Sequence, residues 1–309
     1  MKAVVLHQHG SVDNLTFEPS YREPTVTEGH VVLKVGATSI NYHDVFTCRG
    51  MPGIKVPLPI IRVLVNPIHP VKGLMGEMLD GGMAEYCLAS AKQLIRIPEG
   101  VTFEQAASLP VAYGTAHRMM FTNGFVKAGE KVLILGASGG VGTCCLFLAK
   151  MAGCEVIVAS QAQDKLDRLK DLGADHGIFY DGFEKKIWEM YGKPHRRTFD
   201  GGVDVVVNFT GGDSWVPSMR SLKRGGRMLT CGATAGYDPK TDIRFIWTFE
   251  LKILGSNSWT VQDLETLMQM IAEGRLTPAI DRVLPLEQGR EAVKILEDRA
   301  VLGKVIVRP

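Results

Sequence analysis

Long apolar runs are missing from this 309-residue sequence. None approaches the ~20 residues that a membrane-crossing helix needs. The opening, Met1-Lys2-Ala3-Val4-Val5-Leu6-His7, holds only a short apolar run, closed by His7, Gln8 and His9. That suits a first β-strand better than a secretory signal. A surplus of charge of one sign is also missing. The 35 Lys and Arg against 33 Asp and Glu leave a net charge of +2. No nucleic-acid footprint is expected, and any site for an anion must be built locally. The six cysteines, Cys48, Cys87, Cys144, Cys145, Cys154 and Cys231, contain no C-x-x-C pair, which excludes zinc-ribbon and thioredoxin readings. They read as small buried thiols in a reducing cytosol. Linker tracts, internal repeats and low-complexity segments are absent. What remains is ordinary globular composition, 45% hydrophobic and 22% charged, with length enough for two domains.

The first part, to about Pro110, carries short β-like runs at 3–6, 31–35, 83–88 and 93–97. Gly and Pro clusters such as Arg49-Gly50-Met51-Pro52-Gly53 and Val56-Pro57-Leu58-Pro59 break them, the texture of an irregular β-rich domain. After Gly129 the pattern changes. Strand-like runs at 131–135, 155–159, 177–179, 203–208, 227–231 and 251–255 alternate with helical patterns at 140–152, 164–172, 183–190, 214–222 and 243–250. Continuous apolar strands in repeated β-α units imply a parallel sheet covered on both faces. Six such strands suit a doubly wound sheet that binds a dinucleotide at its switch point. The tail from 283 to 309 adds a strand-helix-strand pattern.

The strongest local motif is Leu135-Gly136-Ala137-Ser138-Gly139-Gly140-Val141-Gly142, directly after a strand and opening a helix. Ala137, Gly139 and Gly142 take the three spaced positions of the Rossmann fingerprint, with Ala replacing the first Gly. That fingerprint needs a tight turn, a bare backbone where pyrophosphate approaches, and a small residue where helix meets strand. The pyrophosphate would rest on the helix N-terminus, where free N–H groups and the dipole favour anions. The end of the second strand decides between the two nicotinamide dinucleotides. It reads Ala159-Ser160-Gln161, without the acid that holds a ribose 2′-hydroxyl. Ser160 can donate to a 2′-phosphate, and Lys165 one turn later supplies attraction; Arg168 reads as a solvated helix residue. The cofactor expected is NADPH.

Several stretches together resemble the medium-chain dehydrogenase/reductase superfamily over essentially the whole length, most closely its zinc-independent, quinone-oxidoreductase-like (zeta-crystallin-like) branch. They are Ser39-Ile40-Asn41-Tyr42-His43-Asp44 with Arg49-Gly50, Asp80-Gly81-Gly82-Met83-Ala84-Glu85-Tyr86, the glycine turn, Leu172-Gly173-Ala174-Asp175 with Tyr180, Gly225-Gly226-Arg227, and Gly303-Lys304-Val305. The resemblance implies an α/β chain: a GroES-like β-rich catalytic domain (1–113 and 257–309) around an inserted Rossmann domain (114–256), with the active-site cleft between them. It implies a homodimer or a dimer of dimers through the last Rossmann strand; the composition adds a cytoplasmic location and no nucleic-acid or membrane partner. The resemblance assigns cofactor contacts to Thr115, Ala137, Ser138, Gly139, Gly140, Val141, Ser160, Lys165, Tyr180, Asn208, Phe209, Thr210, Cys231, Gly232, Ala233 and Lys304. Lys165 and Tyr180 match the lysine and tyrosine that embrace the 2′-phosphate.

The sequence also departs from relatives that use zinc. Asn41 stands where they carry a catalytic Cys, no Gly-His-Glu segment occurs, and the four-cysteine structural lobe is absent. No zinc is expected. A second departure follows Pro57-Leu58-Pro59-Ile60-Ile61. The resemblance implies a glycine-rich stretch and a Gly-Asp-Arg turn there, but Ile61 runs straight into Arg62-Val63-Leu64-Val65-Asn66-Pro67. Either the chain is naturally shortened or a stretch is absent from the sequence as read; the second is favoured, because catalytic-domain strands would otherwise be lost.

The expected reaction is zinc-free hydride transfer from NADPH to a quinone or α,β-unsaturated carbonyl. Asn41, Tyr42 and His43 are the candidate catalytic residues. Asn41 ranks first as an oxyanion donor, Tyr42 could equally be packing, and His43 could relay a proton or be structural. Asp44 and Arg49 read as a buried structural pair, and His69 and His117 receive no role. Two alternatives stay open: a zinc-free alcohol dehydrogenase acting on a small alcohol or aldehyde, and a low-turnover NADPH-binding sensor or structural protein.

Overall fold

The computed structural model describes residues 1–50, 56–61, 75–76 and 79–309. The expected departure after Ile61 and His69 therefore lie outside the described residues.

The chain opens with β1 (Ala3–Leu6), β2 (Leu15–Glu18), β3 (His30–Lys34), β4 (Thr38–Ser39), α1 (Tyr42–Arg49), β5 (Ile60–Ile61), β6 (Tyr86–Ser90) and α2 (Phe103–Ser108). Tight helical turns around α3 (Gly114–His117) lead on. Next come β7 (Lys131–Leu135), α4 (Gly140–Met151), β8 (Glu155–Ser160), α5 (Gln163–Asp171), β9 (His176–Phe179), α6 (Phe183–Tyr191), β10 (Val203–Val207), α7 (Trp215–Ser221), β11 (Leu222–Thr230), α8 (Ile243–Thr248) and β12 (Lys252–Gly255). The tail adds α9 (Val261–Ala272), β13 (Ile280–Pro285), α10 (Gly289–Glu297) and β14 (Lys304–Arg308). Two compact units result, one of Met1–Gly114 with Trp259–Pro309 and one of Thr115–Ser258.

The second unit is a six-stranded sheet in the order β12-β11-β10-β7-β8-β9, with every pairing parallel. Counted from β7, the order is that of a doubly wound dinucleotide-binding sheet. Val132 to Leu135, Val156 to Ser160 and Val205 to Val207 are buried without a break, because helices cover both faces. Leu133, Leu135, Ile157 and Val206 join Phe183, Ile187 and Met219 in one of its cores.

The first unit is built of small sheets. β1 lies between β2 and β5, β14 lies between β13 and β4, and β3 pairs with β6. Val4, Leu6, Leu15, Ile40, Val45, Val293, Val305 and Val307 form its core. Two expected strands differ here. Among the described residues, 93–97 form no strand and find no pairing partner; Leu94 is 47% and Ile97 37% exposed, and an alternating pattern without a partner buries nothing. The run expected at 83–88 becomes a strand only at Tyr86. Met83 lies in the core instead and accepts a hydrogen bond from the Val4 N–H at 2.8 Å.

Candidate functional site

In the second unit, β7 delivers the chain into the glycine turn. Gly136 takes φ +66°, which folds the chain back. Gly139 is the N-cap of α4, and a Cβ there would meet only the Gly136 carbonyl oxygen, at 3.5 Å. A Cβ on Gly142 would lie 2.4 Å from that oxygen and 2.5 Å from the Ala137 α-carbon. Only glycine lets α4 close on the turn. No side chain among the described residues caps α4, and the amides of Gly140, Val141 and Gly142 lack partners inside the helix. The turn thus presents bare backbone and a positive dipole end together, a cradle for pyrophosphate.

Beside it, β8 ends at Ser160, which is buried, and the Ala162 N–H reaches its hydroxyl at 3.5 Å. The Tyr180 N–H donates to the Ser160 carbonyl at 2.9 Å, drawing the loop after β9 to this strand end. The Tyr180 ring packs edge-on against Phe183, with centroids 5.9 Å apart, and its hydroxyl is buried without a partner among the described residues. A buried donor without an acceptor costs about 1–3 kcal/mol, and a phosphate oxygen is an acceptor of the required kind. Lys165 stands half-buried in the first turn of α5, with Arg168 exposed farther along. A cavity of 790 Å³ lies against Gln161, Tyr180, Asp181, Glu184 and Asp213. Its carboxylates oppose a phosphate, although Glu184 also faces Arg220 at 3.7 Å.

The loops after β10 and β11 are tied together. The Thr234 N–H donates to the Phe209 carbonyl at 3.2 Å, and the Ala235 N–H to that of Thr210 at 2.8 Å. Asn208 uses its carboxamide inside this structure. Its N–H group donates to Ser214 and Ser218 at 3.0 and 2.9 Å, and its oxygen accepts from the amides of Thr210 and Gly211. It shapes the loop, and its side chain keeps nothing over for a ligand. Cys231, Gly232, Ala233, Ser256 and Asn257 line a second cavity of 680 Å³. Burial pushes the Cys231 thiol up to about 12, so it stays neutral. Thr115 is 8% exposed. Ser256 and Asn257 carry no motif that marks them in the sequence. Asn123 holds Ser256 through an Nδ2-to-Oγ hydrogen bond of 2.9 Å. Their place at the carboxyl end of β12 is a legible signal, since ligands of open α/β sheets bind outside that edge.

In the first unit, Asn41 joins β4 to α1. Its N–H donates to the Asp44 carboxylate at 2.8 Å, and its side chain donates to the Ser39 carbonyl at 3.2 Å. Lys304, buried on β14, donates to the Asn41 side-chain oxygen at 2.6 Å and to the Ile40 carbonyl at 2.8 Å. Burial pushes the lysine down to about 7, with Asp44 opposing the shift. Tyr42 packs edge-on against Phe46, with centroids 5.1 Å apart, and also interacts with Arg49. His43 is half-buried on the next position of α1. The expected Asp44–Arg49 pair is not what binds Arg49, which instead places Nη2 2.8 Å from Glu297 on α10. Positions five apart on a helix do not share a face, which explains the misassignment. His117 packs against Phe121 at 5.3 Å. Val111, close before Thr115 in the chain, holds φ +65° and ψ −75°. Such strain in a β-branched residue is costly and gathers at functional positions, and composition gives no signal of it. Among the described residues, no three His, Cys, Asp or Glu side chains gather as metal ligands, and no helix is long and apolar enough to cross a membrane.

Comparison with known proteins gives a consistent set of relatives. A family model described as zinc-binding dehydrogenase matches residues 140–273. An acryloyl-coenzyme A reductase of Sulfurisphaera tokodaii is 31% identical over 93% of this chain and 94% of its own. A quinone oxidoreductase-like protein 2 of Bos taurus is 27% identical over 92% of this chain and 86% of its own. Among solved structures, one titled as an NAD-dependent alcohol dehydrogenase superposes over all of both chains with a TM-score of 0.90 at 28% identity.

Proposed function

The chain belongs to the medium-chain dehydrogenase/reductase superfamily, on its quinone-oxidoreductase-like branch, and from that membership we propose an NADPH-dependent reductase of α,β-unsaturated carbonyl compounds or quinones. The oxidoreductase class follows from the relatives. The observation that carries the finer reading is the glycine cradle beside a strand end that offers Ser160 and no carboxylate, with the buried, unpartnered Tyr180 hydroxyl tied to it. The acryloyl-coenzyme A reductase relative favours an activated alkene among the acceptors.

The residues present fit the cofactor. Gly139, Gly140 and Val141 would take the pyrophosphate on backbone amides. Ser160, Lys165 and Tyr180 would take the 2′-phosphate. Thr115, Phe209, Thr210, Cys231, Gly232 and Ala233 would line the nicotinamide end. When bound, NADPH supplies the hydride. The protein orients the acceptor and stabilises the negative charge that develops on its oxygen. Asn41 is the donor for that oxygen, because one of its carboxamide N–H groups has no acceptor among the described residues. His43, close after it on α1, would serve as the proton relay. The partners of Asn41 argue for a reaction without zinc: an ammonium donor beside the carboxamide suits an oxyanion and repels a divalent cation, and zinc prefers thiolate, imidazole or carboxylate ligands.

β12 is the edge of the six-stranded sheet. We assign it as the strand that pairs with its copy in a homodimer, since an unpaired edge invites a further strand. The six free thiols suit a cytoplasmic setting.

An acceptor panel tests the function. The purified protein with NADPH is offered a crotonyl thioester, a simple enone, a small quinone and an aldehyde. NADPH consumption with at least one of the first three, and none with the aldehyde, is expected. Consumption with the aldehyde alone, or with no acceptor, overturns the reading.

A further inference from the structure

Lys304 and Asn41 lie 263 positions apart in sequence and meet inside the first unit at 2.6 Å. Both ends of this contact are fixed by backbone. The Lys304 N–H donates to the Ala279 carbonyl at 2.8 Å. Gly303 before it takes φ +94°, and a Cβ there would stand 2.2 Å from that same carbonyl oxygen. Only glycine lets β14 approach so closely, and this sets the lysine in place. At the other end, the Asp44 carboxylate holds the Asn41 N–H. The remaining freedom is the flip of the Asn41 carboxamide, whose two ends have nearly the same shape but opposite hydrogen-bonding character. An ammonium only donates. It therefore holds the Asn41 oxygen toward itself and leaves the N–H edge for Ser39 and one further acceptor.

We propose that Lys304 is a positioning residue for hydride transfer: its ammonium locks the Asn41 carboxamide in the orientation that offers an N–H to the acceptor oxygen. This rests on the role given to Asn41 above. It also moves Lys304 from the expected cofactor contacts to a role exercised through Asn41.

The lock depends on charge. A neutral amine both donates and accepts, so it no longer selects the carboxamide oxygen, and only the Ser39 carbonyl, at a longer 3.2 Å, still favours this flip state. Burial places the lysine close to neutral pH, opposed by Asp44 from α1. On the neighbouring elements Asp281 pairs with Arg282 on β13 at 2.7 Å, Glu104 of α2 with Arg308 of β14 at 3.2 Å, and Arg49 of α1 with Glu297 of α10 at 2.8 Å, while α10 also carries Arg290, Glu291 and Lys294. The protonated form is the oriented one, so the hydride step slows as pH rises through the lysine's titration.

The test is a double-mutant cycle on single-turnover oxidation of bound NADPH, using Lys304→Met, Asn41→Ala and the double variant. Each single variant is expected to slow the step roughly ten- to a hundredfold at about pH 6. The double variant should be no slower than the slower single variant within about twofold. NADPH affinity should hold in Lys304→Met, and the pH inflection should vanish. Multiplying losses, or an affinity loss equal to the rate loss, overturns the proposal while leaving the Asn41 reading intact. An Asn41→Ala variant with full rate overturns that reading instead. If Lys304→Met fails to fold, the pH dependence of the Asn41 side-chain amide resonance in the unmodified protein decides. A titration near neutral pH is expected, and a flat response overturns the lock.

Discussion

Gly142 packs against Gly136 so closely that a methyl group on Gly142 would lie 2.4 Å from the Gly136 carbonyl oxygen. The near neighbours are backbone atoms of the turn, so a flexible side chain cannot yield in their place. Gly142→Ala is expected to destabilise the second unit by about 1–3 kcal/mol through overpacking. Because the cradle itself is displaced, affinity should fall for both NADPH and NADH. Urea denaturation together with cofactor titration checks this; an unchanged midpoint with unchanged affinity contradicts it.

Lys165 discriminates between the cofactors if it meets the 2′-phosphate. Removing a charged hydrogen-bond partner costs about 1.5–3 kcal/mol, or roughly ten- to over a hundredfold in affinity. Lys165→Ala should lose this much for NADPH and hardly change for NADH. Equal losses for both would remove Lys165 from the phosphate site. Tyr180→Phe should act in the same direction with a smaller loss, since its hydroxyl is buried without a partner among the described residues.

Arg227 braces the sheet of the second unit. Its Nη1 and Nη2 reach the two oxygens of Glu130 at 2.9 and 2.7 Å, and both side chains are largely buried. It also donates to the Phe125 carbonyl at 3.0 Å. Arg227→Met leaves Glu130 buried and uncompensated, which typically costs 3–5 kcal/mol, so about that loss is expected here. Restoring thermal stability with Glu130→Gln in the same chain would support the charge explanation, and an uncorrected loss would point to packing alone.

Lys304 also gives stability a pH signature. Its pKa in the folded protein is lowered from 10.5 to about 7 by burial. Between these values the unfolded chain binds more protons than the folded one, so stability rises with pH across that window. The cost of the buried charge is complete below about pH 7 and gone above about pH 10.5. Compared with Lys304→Met, the unmodified protein should therefore gain on the order of a few kcal/mol between about pH 6 and pH 10. Parallel pH curves for the two proteins would contradict this.

Much of the second unit is legible in the sequence because its strands are buried on both faces. Val132 to Leu135 and Val156 to Ala159 must be unbroken apolar runs, and the turn between them must carry glycine where backbone meets backbone. The first unit is less legible. Its sheets are small, and the alternation at 93–97 looks like a strand although no neighbour among the described residues pairs with it. The partner of Arg49 lies on α10, and the partner of Asn41 lies on β14. No periodicity in a single sequence announces contacts that depend on how β14 sits between β13 and β4. The glycine of Gly303-Lys304 hints at a close approach, but only the structure shows that the approach is to Ala279.

The most direct measurement is a paired titration of the purified protein with NADPH and NADH, followed by anaerobic addition of a crotonyl thioester or a small quinone to the loaded protein. Much tighter binding of NADPH than of NADH, and prompt loss of the reduced-nicotinamide absorbance on addition of at least one acceptor, are expected. Preference for NADH, or tight NADPH binding that no acceptor discharges, would contradict it.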